Sequence, residues 1–420
     1  MKLEKFDYRL KNNKKNKSVI ILCVTIIGLI AGFIIYRSFA AYQVTETYNI
    51  IKGSVANFSQ EKLKISYNLV GEDGGIMSTN EIPSSKEYEY DATVSKCENG
   101  TEIVYDATNN TITIDENAED ICNIYFNYIP LSTRTLYALG YSLDEVKTGV
   151  PYGPEGTNET GFYAAEDDYG TSYYYYNNGD DGSPIIWYND AQYFIIRING
   201  NGSIRMINFD QQNYFKFNEN NNDNAYVGFM YGELGSSNIL NTNQSYLMKM
   251  LERNYTYDDI TLLDDTIFCN DRSLYVEEYG EKEADDTASG VGTDTTYYGA
   301  YYRIGNNTPS LKCFNKNDAF TSEDTEFGNA KLSKPVGFLT ADEAYMTNFS
   351  WYYTWYWEEI TTITPVMFKN GVAYRYKVSD GLSPADVTSD LSAKEVVNLK
   401  AGLEFTDRPD DLWAPYEIVQ

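Results

Sequence analysis

Histidine is absent from all 420 residues. That removes the imidazole base on which Ser-His-Asp and Cys-His nucleophile systems depend, and most zinc sites with it. Cysteine is scarce as well. The chain has five, scattered and never in C-x-x-C spacing, which leaves a thiolate metal site without support. Basic charge is the third shortage. Lys and Arg total 33 against 61 Asp and Glu, a formal net charge of −28. Such a balance repels a phosphate backbone and excludes nucleic acid as the expected partner.

Tyrosine is what the chain has in excess, at 40 residues. Tyr offers large contact area at low entropic cost, so the excess suits a sugar-stacking or protein-binding surface. The codon usage of an AT-rich genome accounts for most of it. It does not account for the acidity, which fits an exported surface.

Lys2, Lys5, Arg9, Lys11, Lys14, Lys15 and Lys17 precede an uncharged run, VIILCVTIIGLIAGFIIY, at 19–36. The run is long enough for a membrane helix, and its basic flank places the N-terminus inside and the rest outside. Ser38-Phe39-Ala40 also fits a signal-peptidase site. The expectation is a cytoplasmic basic segment at 1–17 and a single-pass anchor at 18–40, with secretion as the outcome if Ala40 is cleaved. Cys23 lies inside the apolar run and reads as a small hydrophobe. Export makes disulfides available to the other four cysteines. Of three possible connectivities, sequence proximity and the domain division favour Cys97–Cys122 and Cys269–Cys313.

Residues 45–130 read as short strands, among them LKISYNLV, TITIDE and CNIYFNYI, separated by turn signals such as GEDGG. A small immunoglobulin-like β-sandwich serving as a stalk is the expectation. Residues 131–160, rich in Gly, Pro and Thr at KTGVPYGPEGTNETG, read as a linker. A larger domain follows at 161–420. Its clearest element is FIIRINGNGSIRMI at 194–207, where Asn-Gly pairs mark a hairpin turn between two alternating runs. One face of that hairpin reads as buried and the other, with Arg197 and Arg205, as partly basic. Helices are expected at NQSYLMKMLERNY and LTADEAYMTNF, the second opened by a Thr340/Glu343 capping box. An acidic stretch at 276–294 reads as a solvated loop. Calcium is its sharper alternative, though the spacing is not that of an EF-hand.

WYYTWYW at 351–357 gathers three of the five Trp residues. Trp351, Tyr352, Trp355 and Trp357 are therefore the candidate ligand contacts, by stacking on sugar faces or a protein partner. The competing reading packs these rings into the core. Asn270, Asp271 and Arg272, beside Cys269, read as a network holding irregular loops together. Thr340, Asp342 and Glu343 read as capping residues. No carboxylate pair is placed for glycosidase chemistry.

The ordered segments GFYAAEDDYGTSYYYYNNG, FIIRINGNGSIRMI, FCNDRS, PVGFLTADEA and VVNLKAG resemble a family of uncharacterised exported proteins from anaerobic Gram-positive bacteria. The resemblance spans 161–420. It implies an α+β, C-type-lectin-like domain related to formylglycine-generating enzymes, with first and last strands paired, here TSYYYYN with YEIV. ITTITP at 360–365 and AKEVV at 393–397 depart from the family pattern. Cys269 and Cys313 read as a structural bridge, so the family's catalytic relatives are not followed. The function expected is non-catalytic surface binding or adhesion toward a glycan or surface protein, without a resident cofactor. A formylglycine-generating or carbohydrate-active enzyme and a structural envelope protein are the alternatives.

Overall fold

The computed structural model describes residues 63–419, except 180–181, 212, 237–238, 255–259, 275–289 and 410–413, and except the side chains of 353–355. The expected anchor at 18–40 lies outside the described residues. Among those described, no helix is long and apolar enough to cross a membrane, so the single-pass anchor expected from the sequence has no support in the structure.

The α+β expectation also requires correction. Among the described residues strand outweighs helix, 35% against 14%, and is divided among several sheets. The helices are short, six to nine residues, because β-branched and aromatic residues dominate the segments between turns and favour extended chain.

The first sheet runs in the order Ile76–Thr79, Lys64–Val70, Ile121–Tyr128, Tyr88–Tyr90, with Lys96–Cys97 also on Ile121–Tyr128. Its central pair is parallel, Lys64 opposite Ile121. A separate hairpin, Val104–Asp106 with Thr111–Thr113, contributes Tyr105 and Ile112 to the core around Leu69, Ile124 and Phe126. One sheet covered by one hairpin thus replaces the expected sandwich. The register sets Cys97 directly opposite Cys122, and the two are bridged.

The segment read as a linker is not one. It opens with helix α1, Leu131–Ala138, whose Leu136 is buried together with Leu139 and Tyr141. The helix docks on the turn of the 194–207 hairpin. Thr135 Oγ1 donates to the Gly202 carbonyl at 2.7 Å. A Cβ on Gly202 would stand 2.8 Å from Leu131, and its φ of +83° already favours glycine.

The hairpin lies inside a nine-stranded sheet. Ala191–Ile198 pairs with Ile204–Asn208, which continues to Val396–Leu399 and then Val336–Gly337. Gly170–Tyr176 joins Ala191–Ile198 from the other direction and pairs with Gly161–Asp167. The last strand, Tyr416–Val419, pairs in parallel with Ile185–Tyr188 and not with TSYYYYN as expected. A second sheet is built on Ile360–Lys369, Val372–Ser379 and Gly381–Asp386, so the divergent ITTITP segment is a strand. The other α-helices among the described residues are α2 (Tyr246–Asn254), α3 (Gly299–Gly305), α4 (Ala341–Met346) and α5 (Ser350–Tyr356).

Candidate ligand-binding site

The hairpin register shifts between Ile195 and Arg197, which places Arg197 directly opposite Arg205. Like charges facing each other across strands destabilise a sheet, and here both are buried. The supposed basic face is therefore interior. Glu343 of α4 resolves the conflict. Its Oε1 lies 2.5 Å from Arg205 Nε and accepts from Arg197 Nε at 3.2 Å. Arg197 Nη1 also donates to Asp167 at 2.8 Å. The expected capping box is present as well: Glu343 N donates to Thr340 Oγ1, and Thr340 N donates to Glu343 Oε2 at 3.0 Å. Burial pushes the Glu343 carboxyl up, but the Arg205 and Arg197 guanidiniums more than offset it and hold the group below its usual range.

The FCNDRS residues join the same centre. Asp271, at φ +32°, accepts from Arg303 Nη2 at 2.6 Å. Arg303 in turn forks onto Asp342 at 2.9 and 2.8 Å, a bidentate arrangement that fixes geometry as well as charge. Arg272 pairs with Asp318, whose pKa is raised by burial. Asn270 donates to Ile363 O at 2.6 Å and accepts from Phe229 N. The bridge Cys269–Cys313 borders the cluster, and Cys313 N donates to Asp168. The cavity among these charges is only about 20 Å³, room for one water. No group of side chains suited to a metal ion occurs among the described residues, and most of the acidic stretch offered for calcium, 276–289, lies outside them.

The aromatic segment divides. Trp351 is 4% exposed and Tyr352 3%, packed on Phe194, Phe349 and Phe209, so these two candidate contacts are core residues. The Trp355 side chain lies outside the described set. Trp357 is different: 77% exposed, just past α5, with φ +55°. Tyr356 and Tyr214 are also exposed. Glu358 anchors this edge from beneath. It accepts from Tyr214 Oη and Tyr352 Oη, each at 3.1 Å, and pairs with buried Lys394 at 3.0 Å.

Sequence reasoning missed Asp167, Arg303 and the pairing of Arg197 with Glu343. It also missed a cleft of about 260 Å³ walled by Tyr152, Tyr176 and Tyr345, whose only signal was the tyrosine excess.

Fold and site together define a mostly β, disulfide-bonded protein with an ionic interior and an aromatic exterior edge. No family model, curated protein or solved structure matches the chain.

Proposed function

We propose that this chain is a non-catalytic extracellular binding or adhesion protein whose ligand is a glycan. The observation that carries the reading is Trp357, exposed at 77% and held at positive φ, a costly backbone for a bulky residue. A largely exposed indole next to Tyr356 in the chain offers a face to the C–H side of a sugar ring. Two disulfides support an oxidising, extracellular setting. The non-catalytic reading draws on the carboxylates. Asp167, Asp271, Asp342 and Glu343 are each engaged by arginine, and Cys269 and Cys313 are bridged.

The test is the full chain on an array of glycans and mucin glycoproteins, with and without calcium. Concentration-dependent binding should weaken about tenfold or more in Trp357→Ala, as for a hot-spot aromatic. Silence from a folded, disulfide-bonded sample overturns the reading.

A further inference from the structure

The tyrosine-walled cleft forms where several elements meet. Tyr152 and Gly153 come from the segment after α1, Tyr176 from the end of Gly170–Tyr176, and Ile304 from α3. Tyr345 comes from α4, while Asn348 and Ser350 follow it. The second sheet contributes the remaining wall. Three properties stand out. Among the described residues no charged side chain lines the cleft, although the chain carries −28. Its rings are fixed: Tyr176 Oη donates to Asn158 Oδ1 at 2.6 Å, Tyr345 Oη donates to Asn307 Oδ1, and Tyr152 lies 5.3 Å from Tyr345. The polar rim is fixed too, Asn348 Nδ2 donating to Asn177 O and Ser350 Oγ to Asn348 Oδ1, both at 2.8 Å. Asn158, Asn307 and Asn348 all adopt positive φ, a conformation Asn tolerates better than most residues, so the rim is built before any ligand arrives.

Aromatic walls with amide and hydroxyl groups at the rim match a ligand whose faces are C–H and whose edge is hydroxyl. A volume of 260 Å³ is smaller than the roughly 300–1,000 Å³ of pockets that engulf drug-sized ligands, which limits the occupant to about one ring. The acidic exterior disfavours an anionic sugar. Resting on the glycan-binding reading above, we infer that this cleft is a second, separate subsite that holds one neutral pyranose ring. Burial raises the pKa of Tyr152, Tyr176 and Tyr345, so their hydroxyls stay protonated and able to bond to sugar.

The experiment titrates the full chain with methyl glycosides of glucose, galactose, mannose and N-acetylglucosamine. The methyl glycoside of N-acetylneuraminic acid serves as the anionic counterpart. Saturation-transfer NMR reads the binding. Tyrosine iodination mapped by mass spectrometry reads the place in the unmutated chain. At least one neutral glycoside should bind saturably and protect Tyr152 and Tyr345, while the anionic one does not. Tyr345→Ala should weaken binding about tenfold or more, and Tyr345→Phe, which keeps the ring, less than about threefold. The inference is overturned if no neutral glycoside binds, or if one binds without protecting either tyrosine. Array binding lost on Trp357→Ala would then leave the proposed function standing. Silence in both experiments would remove both.

Discussion

The Glu343→Ala substitution removes the carboxylate that both hairpin arginines share. Arg197 keeps Asp167 at 2.8 Å. Arg205 keeps the Ile267 carbonyl at 3.0 Å and the Phe268 ring at 4.6 Å, with no other carboxylate paired to it among the described residues. Removing one partner of a buried ion pair costs about 3–5 kcal/mol, because the remaining charge stays desolvated. Loss of the reciprocal bonds to Thr340 adds about 1 kcal/mol. The expected loss is therefore about 4–6 kcal/mol, a large share of the roughly 5–15 kcal/mol that holds a domain together. Urea titration of the full chain at pH 7, followed by tryptophan fluorescence, reads it. The decisive arm is a cycle of Arg205→Met, Glu343→Leu and the two together. Arg205→Met with Glu343→Leu removes the charge conflict and leaves Arg197 closed on Asp167, so the double variant should be more stable than Glu343→Ala by about 2–3 kcal/mol. A single-variant loss below about 1.5 kcal/mol, or strictly additive losses across the cycle, would refute a coupled, desolvated centre.

Three further outcomes are expected. Trp351→Ala should cost about 3–5 kcal/mol of stability as a buried aromatic, whereas Trp357→Ala should stay within about 0.5 kcal/mol; thermal melts that reverse this order contradict the division of the segment. Replacing Cys269 and Cys313 together by Ser opens a loop of sequence separation 44, worth about 4 kcal/mol by loop entropy, and an unchanged urea midpoint would contradict it. Because the folded pKa of Glu343 is depressed, its contribution is present above the ordinary glutamate value of about 4.3 and is lost as pH falls through the lower folded value; urea stability should decline with acid in that window, and less steeply in Glu343→Gln.

Local patterns were legible in the sequence where one short-range signal suffices. The Asn199–Gly202 turn, the Thr340/Glu343 capping box and the strand at YEIV all form. Both disulfides join the cysteines that proximity favoured. What failed was long-range. Residues 131–138 carry helix-compatible apolar positions, but only the hairpin turn they dock on reveals that they belong to the core. The final strand chose Ile185–Tyr188 as partner, a choice no local pattern contains. Alternation placed Ile195 and Arg197 on one face, but the register shift between them breaks the period, and both Arg197 and Arg205 are buried. Trp351 and Trp357 carry the same side chain six positions apart, and only the end of α5 at Tyr356 decides which faces water.

The burial of those arginines bears on function. A hairpin with a basic outer face would direct a search toward anionic ligands. Instead Arg197, Arg205, Arg272 and Arg303 are consumed by interior carboxylates, so the excess negative charge of the chain is carried outside. Long-range attraction from such an exterior serves cations, and neutral ligands feel none. The features that remain available for recognition, the Trp357 edge and the tyrosine cleft, act through ring faces and hydroxyl or amide groups at short range. Binding at either should therefore respond to ring substitution far more than to ionic strength, since salt screens exposed charge and leaves stacking untouched.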